Sequence, residues 1–374
     1  MKSPMKSYLI SDINRLLIDA VKFPQRLPGT TLHDWDTIIR LSKRANLIGR
    51  LAEGVHSQGV MDQLPSPVRT HLESARVLTK HQRQAISWEV HHIGKALQTI
   101  GTTVVLLKGA AYAMTNLSAA RGRLFGDVDV MVPRALINHA EAALMMHGWS
   151  SGSVDPYDNR YYRRWMHELP PMAHRKRGTV IDVHHNILPL TARQSISADL
   201  LFKASTPIPG TAFRVLSPCD MVIHSATHLF HEGELQNGLR DLFDLDALLT
   251  ELPEANPVFW AELTDRARAL NLSLPLHLAL RYTKLILDTP VPETAALSTE
   301  RAAGLGRISQ ELLDWMYLRA FRPVHPLCND FSTQVARAGI FLRSHYLKMP
   351  ICLLAIHLGR KFAVRLYKNT SRST

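Results

Sequence analysis

The sequence predicts an α+β protein in which a small mixed sheet with its helices is embedded between helical regions. Three observations carry that reading. Apolar residues recur at three-and-four spacing over about residues 34–100, the texture changes after Gly101 to short β-branched runs bounded by glycine and proline, and helical spacing returns near residue 217. A chain of 374 residues exceeds the usual size of one domain, and its 46% hydrophobic content supports a sizeable core.

The first helical region contains "WDTIIRLSKRANLIGRLAEGV" and "SPVRTHLESARVLTKHQRQAISWEVHHIGKALQTI", the second opened by Ser66-Pro67 and ended by Gly101. Thr103 to Leu107 then reads as a buried strand, followed by the Lys108-Gly109 turn and a helix from Ala110 to about Leu117. "GDVDVMV" is a second strand. Pro133 opens a helix through "RALINHAEAALMMHG" that Gly148 closes. "YYRRWMHEL", "MAHRK" and "TVIDVHH" read as further strands, and helices resume with "SPCDMVIHSATHLFHEG", "LQNGLRDLFDLDALLTEL" and "NPVFWAELTDRARALN".

Composition narrows the function class. Cys219, Cys328 and Cys352 have neither paired nor metal-ligand spacing, which argues against a disulfide framework or structural zinc and fits a reducing cytoplasm. "MKSPMKSYLISDINRLL" has no apolar run of signal-peptide length, and no stretch of the sequence is apolar enough to span a bilayer. The net charge of +12 points to an anionic partner: nucleotide, nucleic acid, anionic lipid or an acidic substrate. Arg337, Arg343, Lys348, Arg360, Lys361, Arg365, Lys368 and Arg372 lie beyond the last acidic residue, Asp330. A second basic cluster comprises Arg160, Arg163, Arg164, Arg175, Lys176 and Arg177.

The chemistry concentrates in "LLKGAAYAMTNLSAARGRLFGDVDVMV". Asp127 and Asp129 alternate to one face of a strand, where two carboxylates repel each other and lose solvation. A hard divalent cation such as Mg²⁺ relieves both costs, because it prefers carboxylate, phosphate and water oxygens. Asp182, flanked by Ile181 and Val183, has the pattern of a third carboxylate on a neighbouring strand. Three carboxylates around two cations suit in-line attack on a nucleoside triphosphate. Lys108 and Gly109 at a strand-to-helix turn supply positive charge and close backbone approach for phosphate, and Arg123 is a candidate second clamp.

The order strand, glycine turn, helix, Asp-x-Asp strand and later single-Asp strand resembles the nucleotidyltransferase superfamily whose best-known member is DNA polymerase β. More narrowly, "VVLLKGAAY", "RLFGDVDVMV", "GW" and "VIDVHHNI" resemble the bacterial uncharacterised nucleotidyltransferases, with Lys-Gly in place of the usual Gly-Ser or Gly-Gly. "HSATHLF" and "LRDLFDLDALL" are similar to that family's helical part, so the likeness covers roughly residues 30–290. The resemblance implies a polymerase-β-like core over 101–216, between an N-terminal helical region (1–100) and a C-terminal helical domain (217–330), with a basic amphipathic tail at 331–374. It implies transfer of a nucleoside monophosphate from an NTP to an acceptor hydroxyl with release of pyrophosphate. Asp127, Asp129 and Asp182 are then the catalytic carboxylates and the ligands of Mg²⁺ or Mn²⁺, and Lys108, Gly109 and Arg123 are the triphosphate contacts. The acceptor, whether protein, sugar or RNA, stays open. Members often neighbour exopolysaccharide, exosortase or peptide-modification genes, so a catalytically inactive nucleotide sensor in such a system is one alternative and a tRNA-modifying transferase another.

Several residues carry two readings. Asp182 could pair with Arg163 or Arg175 instead of meeting a cation. His184 shares the face of Asp182, and His228 could approach the nucleotide. His224, His228 and His231 share a helical face, yet the only adjacent His-Asp pair found beside them, His33-Asp34, is far upstream, so packing is expected over a phosphohydrolase centre. Arg240-Asp241 and Asp244 are local helix pairs or a cap to the site. Arg163 and its neighbours either face solvent or attract an anion, and Tyr157, Tyr161, Tyr162 and Trp165 either pack or stack on a base. The tail from Pro350 to Leu358 either docks on the core or lies on an anionic lipid surface, which would place a cytoplasmic protein at the inner face of the membrane.

Overall fold

The β-branched run after Gly101 becomes the centre of the sheet. In the computed structural model, which describes residues 12–152 and 156–350, β1 (Val104–Leu106) is buried along its whole length and Gly101 ends the preceding turn at φ 59°. The other strands are β2 (Asp127–Met131), β3 (Trp149–Ser150), β4 (Met172–His174), β5 (Val180–His184), β6 (Thr206–Pro207) and β7 (Phe213–Val215). Together they form one seven-stranded mixed sheet in the order β3-β4-β5-β2-β1-β7-β6. The β1–β7 and β2–β5 pairs are parallel, the rest antiparallel.

Helices account for most of the chain: α1 (Asp12–Lys22), α2 (Leu32–Arg44), α3 (Ile48–Ser57), α4 (Ser66–Leu97), α5 (Lys108–Met114), α6 (Ile137–Met146), α7 (Pro156–Trp165) and α8 (Ala198–Ala204) precede β6. After β7 come α9 (Pro218–His231), α10 (Gly238–Glu251), α11 (Phe259–Ala269), α12 (Ser273–Leu287), α13 (Glu293–Ala303), α14 (Arg307–Ala320) and α15 (Phe331–Lys348). This is the α+β arrangement expected. The caps follow from local chemistry: Ser217 accepts from Asp220 N at the start of α9, with Pro218 at the first helical position, and Asp330 accepts from Thr333 N at the start of α15.

Packing joins these layers around the sheet. The long α4 contacts α5, α6 and β2, while α10 packs on α9, α12 and the 3-10 turn Ser118–Ala120. Ion pairs staple distant parts of the chain, with Lys22 Nζ 2.8 Å from Asp246 and Arg266 Nε 2.7 Å from Asp220. Cys219 and Cys328 are free and buried. No helix of the described residues is long and apolar enough to cross a membrane.

Three local expectations are corrected. In "YYRRWMHEL" the first five residues end α7 rather than forming a strand, and only residues 167–169 run beside β5, with Glu168 bridged to His184. Its aromatic content mimics strand propensity, but Pro156 at a first helical turn sets the backbone the other way. The α5 helix begins at Lys108, two residues before the expected start, and Thr206–Pro207 and Phe213–Val215 add a sheet edge that those short segments did not announce. The start of the basic tail forms α15, packed on α14 and α9, with Arg343 Nη1 donating to Phe230 O at 2.7 Å. The apolar segment after Pro350 lies outside the described residues.

Candidate active site

Strand pairing assembles the carboxylates. The β2–β5 register sets Asp129 opposite Asp182 and Met131 opposite His184. Because side chains alternate, Val128, Val130, Ile181 and Val183 point into the core, each 1% exposed or less. Asp127, Asp129 and Asp182 are left on the opposite face, where all three line one cavity of about 490 Å³. Asp127 is exposed at its mouth and Asp129 is 4% exposed.

Their surroundings divide the three electrostatically. Asp129 Oδ1 accepts from Lys108 Nζ at 2.8 Å and faces His184 Nε2 at 3.1 Å. Burial alone would push Asp129 up, but Lys108 and His184 hold it well below the usual carboxylate range. Asp127 is pushed up, first by desolvation and then by the charge of Asp129. Asp182 is pushed up to about 7 by burial and by Asp129, Asp127 and Glu168, and its Oδ1 is buried with no hydrogen-bond partner among the described residues. Among the described residues no pair of Asp182 with Arg163 or Arg175 is found, and Arg163 is bound to Glu141 at 2.7 Å.

The Lys108-Gly109 turn works differently from a plain glycine cradle. Lys108 is the residue with left-handed backbone, at φ 45°, a conformation that costs a non-glycine residue roughly 1–3 kcal/mol. Leu107 N donates to Asp129 O at 3.0 Å, which fixes the strand end, and the Lys108 ammonium is thereby delivered to the Asp129 carboxylate. Burial would lower the Lys108 pKa, but Asp129 more than reverses that, so the side chain stays charged. Gly109 does not line the cavity. A Cβ there would collide with Arg123 Nη1 and lie 3.1 Å from Phe125 Cδ1, so the missing side chain makes room for Arg123.

Arg123 lines the cavity beside Lys108. Its Nε donates to Asp244 Oδ2 at 2.8 Å, while Arg50 Nη2 donates to Asp244 Oδ1 at 2.6 Å, so one carboxylate 2% exposed orients two guanidinium groups. The terminal guanidinium nitrogens of Arg123 make no hydrogen bond to the described residues and remain available to an anion. Gly122, at φ 64°, lies against the backbone of Gly49 and Arg50, which docks the Arg123 loop on the start of α3.

Histidines occupy the next layer. His184 is 3% exposed, with Nε2 toward Asp129 and Nδ1 3.2 Å from Glu168 Oε2; burial would lower its pKa, but the Asp129 hydrogen bond and the Glu168 charge raise it. His228 lines the cavity and is driven well below its usual pKa, first by the Lys108 charge and then by burial, so it is neutral. His224 is pushed down to about 3 by burial, and His231 is tied to Thr227 O and Gln194. His224 and His231 are thus buried in the packing, and His228 stands at the cavity wall.

The remaining lining was less visible in the sequence. Glu168, Tyr112, Ser225, Glu232, Glu234 and Gln236 also face the cavity, together with Arg240, Asp241 and Asp244. In all, eight acidic side chains stand against three basic ones, the reverse of the chain's overall charge. The basic cluster at 160–177 contributes none of these: Arg177 chelates Glu89 at 2.8 and 2.9 Å and stands 4.8 Å from the Trp149 ring. The signal for Arg240, Asp241 and Asp244 was their helical spacing. Glu168 had none, because its place depends on the unexpected turn after α7.

A hard divalent cation fits the donor set, since Asp182 Oδ1 lacks a partner and the lining has an excess of negative charge. A family model described as an uncharacterised nucleotidyltransferase matches residues 31–288. No curated protein and no solved structure matches the chain.

Proposed function

The chain belongs to the family of uncharacterised nucleotidyltransferases, and from that premise we propose that it transfers a nucleoside monophosphate from an NTP to an acceptor hydroxyl, releasing pyrophosphate. The observation that carries this reading is the β2–β5 register, which turns Asp127, Asp129 and Asp182 into the cavity that also holds Lys108 and Arg123. In the reaction the acceptor oxygen bonds to the α-phosphorus, the bond from that phosphorus to the α–β bridging oxygen breaks, and pyrophosphate takes the electron pair. Asp182, whose Oδ1 has no hydrogen-bond partner among the described residues, accepts the acceptor's proton. Lys108 exchanges Asp129 for a β- or γ-phosphate oxygen once the carboxylate is otherwise neutralised, and Arg123, held by Asp244, takes a second. Mg²⁺ or Mn²⁺ held by Asp127, Asp129 and Asp182 would offset triphosphate charge and polarise the phosphoryl oxygens.

The acidic lining disfavours a polyanionic acceptor, which weighs against RNA and for a protein or sugar hydroxyl. A second reading, a sensor that binds NTP without turning it over, draws on the pairing of Asp129 with both Lys108 and His184. Pyrophosphate release from each NTP in the presence of Mg²⁺ and candidate acceptors tests both. Release by the wild type that disappears in Asp127→Asn and Asp129→Asn supports transfer; saturable NTP binding with no release in the wild type supports the sensor.

A further inference from the structure

One group of side chains beside the three aspartates has a different chemistry. Residues 167–169 run antiparallel to the end of β5, with His185 N donating to His167 O at 2.7 Å and Leu169 N to Val183 O at 2.9 Å, on either side of the Glu168–His184 bridge. This backbone ladder brings one ligand atom from each of His167, Glu168 and His184 within 4.8 Å of one another, the one such trio among the described residues. The His167 and His184 rings are 5.3 Å apart, and His184 Nδ1 is 3.2 Å from Glu168 Oε2. His167 Nδ1 is buried with no hydrogen-bond partner among the described residues, an arrangement that costs free energy and that packing does not explain.

We propose that His167, Glu168 and His184 bind a divalent transition-metal ion of the Zn²⁺ class, at a site separate from the hard-cation ligands Asp127, Asp129 and Asp182. Two imidazoles and one carboxylate are donors for zinc and its neighbours, whereas Mg²⁺ takes oxygen. Zinc–nitrogen and zinc–oxygen bonds of about 2.0–2.2 Å put tetrahedral ligands roughly 3.4 Å apart, so a trio within 4.8 Å needs to contract by at most about 1.4 Å. A cation there would sit between His184 Nδ1 and Glu168 Oε2, which now lie 3.2 Å apart. The outer shell is already built: the other ring nitrogen of His184 lies 3.1 Å from Asp129 Oδ1, and metal-bound histidines usually donate to a carboxylate in this way. Glu168 also lines the cavity, which would give a small ligand or water there a route to the ion. Asp129 thus sits between two cation sites and couples them. This inference rests on the trio and its backbone ladder, independently of the transfer reaction.

The test is metal stoichiometry. Full-length protein is stripped with chelator, checked by circular dichroism, equilibrated with Zn²⁺, desalted and analysed by mass spectrometry of the metal, with a parallel Co²⁺ sample read by visible absorption. The expected result is one zinc per chain in the wild type, in Asp127→Asn and in His56→Ala, a control at an exposed histidine. His167→Ala should lose that zinc and the Co²⁺ bands, and Asp129→Asn should weaken zinc affinity roughly 10–100-fold. A wild type that retains no zinc overturns the proposal, as does a His167→Ala protein that retains as much as His56→Ala. Should His167→Ala fail to fold, the wild-type Co²⁺ spectrum decides, and absence of ligand-field bands rejects the site.

Discussion

Asp182 shows how a single side chain can serve the site against the stability of the fold. Its pKa rises from 3.8 to about 7 because burial and three nearby carboxylates oppose its charge. The folded state therefore holds the proton more tightly than the unfolded chain, so this contribution to stability is complete below about pH 4 and is lost as pH rises through about 7. Asp182→Asn removes the effect. In urea denaturation without divalent cations the variant should match the wild type near pH 4 and exceed it at pH 8 by an amount on the order of a few kcal/mol. Equal stability at pH 8 would contradict the placement of the Asp182 carboxyl among like charges. Asp244 makes the opposite case. Removing it with Asp244→Ala strands the guanidinium groups of Arg50 and Arg123, and the loss should be about 3–5 kcal/mol in the same assay. The sequence displayed Asp127, Asp129, Asp182 and Lys108 because acids and a lysine interrupt apolar strand patterns. It could not display the double engagement of Asp244, which joins α3, α10 and the Arg123 loop from positions far apart in the chain.

At the scale of elements, the β2–β5 pair was legible for a physical reason: alternation is a two-residue code, and "DVDV" beside "IDVH" specifies which face is apolar. The α7 segment was not legible, because tyrosine, arginine and tryptophan satisfy either element and tertiary context decides. The approach of the Arg123 loop to α3 was equally hidden, since a glycine needed for close contact looks like any other in sequence. Gly49 faces the Gly122 backbone and the Thr79 side chain with no space for a methyl group. Gly49→Ala should push the loop away and cost about 1–3 kcal/mol by overpacking. Gly109→Ala should act more selectively, because its methyl group meets the Arg123 guanidinium. Isothermal titration with Mg²⁺ and a non-hydrolysable NTP analogue is expected to show about a tenfold or greater loss of affinity in Gly109→Ala, in line with a displaced charged hydrogen bond of about 1.5–3 kcal/mol. Unchanged affinity would mean that Arg123 has no part in holding the triphosphate.

Across the whole molecule, the charge of the chain and the charge of its cavity have opposite signs. A net charge of +12 raises the local concentration of nucleotides and other anions, while a lining of eight acids and three bases repels a triphosphate at the last few ångströms. The conflict resolves only if cations enter with the nucleotide, because two ionised carboxylates brought to about 4 Å would repel by roughly 4 kcal/mol at an effective dielectric of 20. Binding should therefore be conditional. Millimolar Mg²⁺ alone should raise the thermal unfolding midpoint by relieving the carboxylate cluster, and ATP with chelator should leave it unchanged. Mg²⁺ and ATP together should raise it further than the cation does. Asp127→Asn combined with Asp129→Asn should remove the Mg²⁺ response while leaving a folded protein, since neither substitution changes side-chain volume by much. A strong ATP response in chelator would instead place the nucleotide on a basic surface outside this cavity, with Arg76, Lys80, Arg83 and Arg121 beside the start of α3 as the first place to look.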